Sequence, residues 1–519
     1  MTGSAILYQN ESQTVFLIDI PTSIALAQSL STQTTPRNAP PSSNHKTSSP
    51  QPQPGPRRRQ LLSSPALEKP YPPSTEPKSA AARARVLQRI PHSEREIADA
   101  IEPVVLGALG EIRSGHQRGC KWCFPRGMVG DSDDGKTSAK AGGVMLRKRR
   151  KRKEGEEVGD DQEDQLTFDN TDLQSLGSEQ SFETTTNQPP LILSPGANRF
   201  KSGSELRNHI VKNTSAEIAI VEICHSYLNS TSNNSIERHQ REHEQPQTYI
   251  VPPLSKFVIC DLPISTPSTH KSSPIPGLSS AQKFNLILLD PPWSNRSVRR
   301  SRNYQTQAYS DSDLLTESIC NVLRVHSYSH FSAAGGDRDT AANLKVEVGK
   351  GEEEGGAMPD ICIGAIWITN SAKARKTAYD ALRGAGFIIA EEWVWIKTTV
   401  YGAPVTPVDG LWRKPYEALV VGLKKQARPD SPASGLVEES AQGIRRRVIA
   451  AVPDLHSRKP NLREVFESVF FSSLFRSGNS EVRYEALEVF ARNLTAGWWA
   501  CGNEVLKFND GEWWVEGDY

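Results

Sequence analysis

Apolar positions along this 519-residue chain come in short bursts set between long polar tracts. Phe284 to Leu289, Ile361 to Thr369, Glu391 to Lys397, Tyr416 to Leu423, Val448 to Val452 and Tyr484 to Phe490 are strand-like runs. Ala372 to Gly384 and Leu462 to Phe470 instead place apolar residues at helical spacing. Strands alternating with helices predict an α/β domain, with a mostly parallel sheet covered on both faces. Upstream, Ile6 to Leu30 holds strand-like stretches such as Thr14 to Ile18, and Ala216 to Cys224 reads as a strand. Tyr249 to Leu262 adds two short apolar runs ending in Cys260, Asp261 and Leu262. Residues 79–124 look helical: Ser93 and Glu96 have capping-box spacing before Ile97 and Ile101, and Pro103 is expected to kink or restart the helix.

The polar tracts divide the chain. Residues 1–30 form an N-terminal strand-like segment, 31–78 a disordered linker rich in Ser, Thr, Pro and Gln, and 79–124 a helical accessory element. Residues 125–200 read as a disordered charged linker, and 201–519 as the main domain, with surface insertions at 265–280, 335–359 and 428–442. A hydrophobic share of 36% fits one sizeable domain with much unpacked decoration.

The net charge of +1 hides local contrast. Seven consecutive basic residues, Arg147 to Lys153, precede an acidic stretch, Glu154 to Glu163. The basic run reads as a nuclear import signal or a nucleic-acid patch, so a nuclear location is expected; a charged linker with no reader is the alternative. Seven scattered cysteines do not make a disulfide framework and point to a reducing compartment. Cys120 and Cys123, with His116 upstream, have metal-ligand spacing but lack a second pair, so no metal site is expected. No apolar run approaches eighteen residues and Asp19 interrupts the early one, so the expectation is a chain neither membrane-spanning nor secreted.

Candidate chemistry sits at the end of the apolar run Phe284 to Leu289. Asp290, Pro291, Pro292 and Trp293 close the apolar run there. A carboxylate beside a rigid Pro-Pro step suits methylation of an exocyclic amine on a nucleobase. That nitrogen is a poor nucleophile until acceptors hold its hydrogens and turn its lone pair outward. Asp290 offers one acceptor and a backbone carbonyl of the turn another, pre-aimed because each proline fixes φ and lacks an N–H. Trp293 offers a flat face for a base. The next residues hold Arg296, Arg299, Arg300 and Tyr304, a set suited to phosphates and a stacked base. A Pro-Pro turn with a solvent-facing Asp and a solvated basic loop is the bland alternative.

Six blocks in order carry a resemblance. Asp290 to Trp293 with the tail to Tyr304, Trp367 to Asn370, Glu392 to Lys397, Lys414 to Glu417, Leu455 to Pro460, and Leu487 to Leu494 followed by Gly502 to Lys507 resemble the eukaryotic adenine-N(6) methyltransferases of the MT-A type. Within these they are most similar to the methyltransferase-like protein 4 branch. The resemblance covers about residues 249–509 and implies a permuted, Rossmann-like class I sheet dependent on S-adenosylmethionine, with residues 201–519 as the methyltransferase domain. A permuted sheet accounts for the lack of a G-x-G-x-x-G fingerprint before the strand series.

The resemblance also implies roles. Asp290 orients the amine; Arg492 and Asn493 bind the cofactor ribose region; Gly502, Asn503 and Glu504 complete the pocket; Lys459 lies near the cofactor carboxylate; Asp261 accepts a cofactor hydrogen bond. Tyr304 and Glu417 are candidates for the substrate pocket, whereas Trp393 and Trp395 read as core. The implied activity is methyl transfer to the N6 amine of adenine in nucleic acid. The branch is associated with small nuclear RNA, and DNA adenine is also attributed to it, so RNA ranks ahead of DNA. A catalytically silent nucleic-acid-binding partner subunit is the alternative, and a protein or small-molecule amine as acceptor is a third.

Overall fold

The computed structural model describes residues 3–30, 59–72, 76–117, 119–128, 188–224, 246–262, 273–293, 312–328, 361–411, 413–425, 444–455, 458–472 and 484–516. Twelve strands form one sheet: β1 (Ile6–Gln9), β2 (Val15–Ile18), β3 (Leu191–Leu193), β4 (Ile210–Asn213), β5 (Lys256–Ile259), β6 (Leu286–Leu289), β7 (Ile361–Ile368), β8 (Ile388–Lys397), β9 (Tyr416–Lys425), β10 (Arg445–Ala451), β11 (Ala486–Val489) and β12 (Trp499–Gly502). Their order across the sheet is β1-β2-β10-β8-β9-β7-β6-β11-β12-β5-β4-β3. The run from β7 through β6, β11 and β12 to β5 is parallel, as is β2-β10-β8. Only β9 runs against its neighbours between these blocks, so the sheet is mixed rather than purely parallel.

The reason β6 sits at the centre is visible in its letters. Leu286, Ile287, Leu288 and Leu289 are all apolar and all buried, because a central parallel strand is covered on both faces. Successive side chains alternate between those faces. Ile287 and Leu289 join a core that holds Leu315, Ile319, Leu323, Ala378 and Leu382, from helices α4 (Ser312–His326) and α5 (Ala372–Gly384). Leu286 and Leu288 join the opposite core, with Trp367, Trp393, Trp395 and Phe466, the last on helix α6 (Arg463–Phe470). Helix α1 (Ile20–Ala27) packs there too, through Ile20 and Ile24.

Several boundaries differ from the sequence reading. The N-terminal strand-like segment is not separate, since its strands β1 and β2 belong to the main sheet and the fully buried β2 pairs with β10. The stretch 31–78 is not linker throughout: Arg59–Ser63 is a strand, paired with Trp514–Glu516 and Gly127–Met128. Ordered strands also begin at Leu191 rather than near Glu205, within the stretch read as charged linker. In the accessory region, α2 (Ala80–Arg89) is capped by Ser79, and α3 (His92–Gly115) runs through Pro103 unbroken. No side-chain cap closes α3, because the helix begins at His92, one residue before the expected cap Ser93. Its apolar stripe Ile101, Val105, Ala108, Leu109 and Ile112 lies on the core formed with Leu17, Val394, Ile396 and Val448, and tertiary packing of this kind outweighs one missing helical N–H.

Candidate active site

Parallel strands present their carboxyl ends at one edge of a sheet, where ligands of open α/β folds are held. That edge carries Asp290 after β6, Arg492 shortly after β11, Glu504 after β12, Asp261 after β5, Lys397 at the end of β8 and Lys459 beyond β10. The antiparallel β9 delivers Glu417 from its opposite end. Period-two alternation puts Asp290, Glu488, Trp367, Glu417, Trp395 and Lys397 on one face, that of Leu288 and Leu419.

Charges there form a relay. Lys397 Nζ lies 2.9 Å from Glu417 Oε1, and Lys459 Nζ lies 3.4 Å from Glu417 Oε2 and 3.0 Å from Asp290 Oδ1. Arg492 Nη1 approaches Asp290 Oδ2 at 3.5 Å, and its Nε donates to Glu504 Oε2 at 3.1 Å. Lys507 Nζ closes the row 2.9 Å from Glu504 Oε1. Burial would lower the pKa of the Lys459 ammonium, but Asp290 and Glu417 outweigh it and the pKa rises. Burial would likewise raise Glu417; Lys397 and Lys459 prevail and hold it well below the usual carboxylate range. Glu504 is also lowered, with Lys507 and Arg492 overcoming its burial. Glu488 goes the other way: burial, reinforced by the charge of Asp290, pushes it up to about 8 against the pull of Arg492 and Lys459.

The tetrapeptide is itself folded. Asp290 N donates to Val489 O at 3.1 Å, and Trp293 N donates to Pro291 O at 2.8 Å, which closes a tight three-residue turn. Trp293 Nε1 donates to Trp367 O at 2.7 Å, so the indole is pinned to the end of β7. Lys459 Nζ stands 5.5 Å from the Trp367 ring centre, and Trp367 meets Trp395 edge-on at 6.0 Å. At the end of β11 Phe490 adopts φ 59°, a left-handed value uncommon outside glycine, as the chain turns toward Arg492. Gly502 answers it from β12: a Cβ there would lie 3.2 Å from Phe490 Cα, at φ 144°.

A family model matches this region. Residues 357–504 match the MT-A70 family. The chain carries an MT-A70 domain. The match opens just before β7 and closes at Glu504, so Asp290 to Trp293 lies upstream of it. Among curated relatives, the N6-methyladenosine RNA methyltransferase MTA1 of Cryphonectria parasitica is 37% identical over 246 residues, 46% of this chain and 56% of that protein. The human N(6)-adenine-specific methyltransferase METTL4 is 28% identical over 271 residues, covering 52% of this chain and 45% of its own. A DNA N6-methyl methyltransferase of Caenorhabditis elegans is 27% identical over 267 residues, 51% of this chain and 54% of its own. The chain thus spans about half the length of the curated relatives it matches. The mixed sheet is consistent with the class I methyltransferase fold of the MT-A70 family.

Within the MT-A70 domain and its flanks, the structure brings Asp290, Glu417, Lys459, Arg492 and Glu504 into one connected set. Pro291 is buried, and Pro292 and Trp293 are partly buried beside it. Asn493 is partly buried next to Arg492, while Asn503 is exposed. Asp261 stands apart from the relay: it pairs with Arg207, and its side chain is 60% exposed. Arg296, Arg299, Arg300, Tyr304 and the basic run Arg147 to Lys153 lie outside the described residues. Trp393 and Trp395 are buried in the core. Sequence reasoning missed Glu488 and Lys397 as members of the site. Glu488 is the one charged letter in the strand Ala486–Val489, and a charge inside an apolar strand was the available signal. Lys397 could have been found only by pairing β8 with β9. Among the described residues no cluster of three or more His, Cys, Asp or Glu could hold a metal, and no helix is long and apolar enough to cross a membrane.

Proposed function

We propose that this protein transfers a methyl group from S-adenosylmethionine to the N6 amine of adenine in nucleic acid, RNA of the small nuclear type ahead of DNA. The observation that carries the reading is the Asp290 carboxylate held 3.0 Å from Lys459 at the carboxyl edge of the sheet, with Trp293 pinned beside it. An ionised carboxylate offers about four acceptor directions, so Asp290 can bind Lys459 and Arg492 and still accept an amine hydrogen. The Pro291 carbonyl accepts from Trp293 N and has a second lone pair with which to accept another hydrogen. Trp293, pinned beside Asp290, offers a flat face for the base.

The donor set suits S-adenosylmethionine. A desolvated amino-acid carboxylate needs a cation, which Lys459 supplies; ribose hydroxyls need acceptors, which Glu504 supplies with Asn493 and Asn503 nearby. Gly502 lets the end of β12 pack against the Phe490 backbone that leads to Arg492. When bound, S-adenosylmethionine supplies an electrophilic methyl on sulfur. The names of the relatives favour RNA, since two fungal proteins are N6-methyladenosine RNA methyltransferases, while the worm protein is a DNA methyltransferase. A nuclear location is proposed from the Arg147 to Lys153 run, as the tract an import receptor would read.

Methyl transfer to adenine-containing RNA and DNA oligonucleotides, measured before and after Asp290→Ala, tests the reading. Mass spectrometry of nucleosides from RNA and DNA separately, in cells lacking the gene, should show the loss of N6-methyladenine from one pool. A protein that neither binds S-adenosylmethionine in calorimetry nor loses activity on mutation is a silent partner subunit, and the reading falls.

A further inference from the structure

Arg458 is buried far more deeply than a surface-loop arginine should be, with 1% of its surface exposed. Its guanidinium sits in the corner of two rings that meet edge-on, 4.3 Å from the centre of Phe508 and 4.8 Å from that of Trp513. Nη1 donates to Asp454 Oδ2 at 2.7 Å and to Leu62 O at 2.9 Å, and the Arg458 backbone N–H donates to Leu455 O at 3.0 Å. Asp454 is locked from the other side, since Ser64 N donates to it at 2.8 Å. Arg126 then ties the same stretch down, donating to Val452 O and Pro453 O at 2.9 Å each.

Such burial costs free energy, and it is incompletely repaid, because Nε and Nη2 of Arg458 find no hydrogen-bond partner. Apolar residues of similar volume would fill this space at lower desolvation cost. What they would lose is direction. A planar guanidinium packed into the corner of two rings and bonded to a carboxylate has few orientations, and the next residue is Lys459, which reaches into the charge relay at Asp290 and Glu417.

We propose that Arg458 is a positioning residue for Lys459: the Phe508 and Trp513 rings, Asp454 and the Leu62 carbonyl fix the chain so that the neighbouring ammonium lies between Asp290 and Glu417. The proposal rests on the methyl-transfer reading for its kinetic consequence but not for its geometric one. It also gives the accessory strand Arg59–Ser63 and the C-terminal segment a task at the site, since both close on Arg458.

Arg458→Lys retains a charge for Asp454 but loses the planar group that fills the corner of the two rings, and Phe508→Leu removes one ring with the arginine intact. Both are to be compared with Lys459→Met and with Arg458→Lys combined with Lys459→Met, in the full chain. The expected result is a melting temperature within a few degrees of the parent for Arg458→Lys, with kcat about 10- to 100-fold lower, the scale of an ångström-sized misplacement. Adding Lys459→Met should cost less than about 3-fold more than Lys459→Met alone. In 13C-lysine spectra of the unliganded protein, the raised pKa of Lys459 should fall toward the ordinary lysine value in both Arg458→Lys and Phe508→Leu. Losses that multiply, or lowered melting with the Lys459 resonance unmoved, would overturn the proposal. A parent protein that methylates no nucleic acid defeats the functional reading alone, because the resonance still reports the positioning.

Discussion

Glu488 and Asp290 face one another from neighbouring parallel strands: Glu488 pairs with Leu288, two residues before Asp290, and the charge of Asp290 helps lift the Glu488 carboxyl to about 8. A carboxyl whose folded pKa lies above its unfolded value binds more protons when folded. Its stabilising contribution is complete below the unfolded value near 4.5 and is lost as pH rises through about 8.

Glu488→Gln removes this titration. The variant should gain stability relative to the parent as pH rises from 5 to 9, by a difference on the order of 4 kcal/mol. Thermal unfolding of both proteins across that range measures it, and parallel curves would contradict the assignment.

Glu417 predicts the opposite slope. Its pKa is depressed by Lys397 and Lys459, so its contribution is present above the unfolded value near 4.5 and fades as pH falls through the folded one. Glu417→Gln should therefore destabilise the protein at pH 7 and by a smaller amount at pH 3. Urea titrations at the two pH values separate this from a simple packing defect, which would cost the same at both.

Asp290→Asn keeps the shape of the side chain but weakens its acceptors and leaves Lys459 short of one anionic partner. Methyl transfer should fall about 100- to 1000-fold, the usual scale for one preorganised electrostatic group. Single-turnover kinetics with adenine-containing RNA read the chemical step directly. An unchanged rate constant would remove Asp290 from the mechanism.

Trp393 tests the division between core and site. Its ring stacks on Phe466 at 4.9 Å and its Nε1 donates to Glu391 at 2.7 Å. Trp393→Ala should cost about 3–5 kcal/mol of stability. The folded fraction should keep its methyl-transfer rate, checked by denaturant unfolding alongside kinetics at low temperature.

Much of this architecture was legible beforehand. The strand at Leu286–Leu289 and the helix Ala372–Gly384 announce themselves because their apolar spacing reflects burial on two faces and on one stripe. The strand Arg59–Ser63 did not, because five residues flanked by Pro and Ser carry little periodicity and owe their form to pairing with Trp514–Glu516, more than 450 positions away. Likewise the helix beginning at His92 passes through Pro103, since the buried stripe from Ile101 to Ile112 outweighs the local preference to break.

Local chemistry resides in the letters themselves. Asp290 to Trp293 specify a rigid acceptor turn, and Phe490 to Arg492 a strand end, because φ restriction and side-chain alternation act over a few residues. Which charges meet is a matter of strand order. Lys397, Glu417, Lys459, Asp290 and Arg492 span 203 positions of sequence and become neighbours only because β8, β10, β6 and β11 end, and the antiparallel β9 begins, at one edge, where burial strengthens every pairing between them.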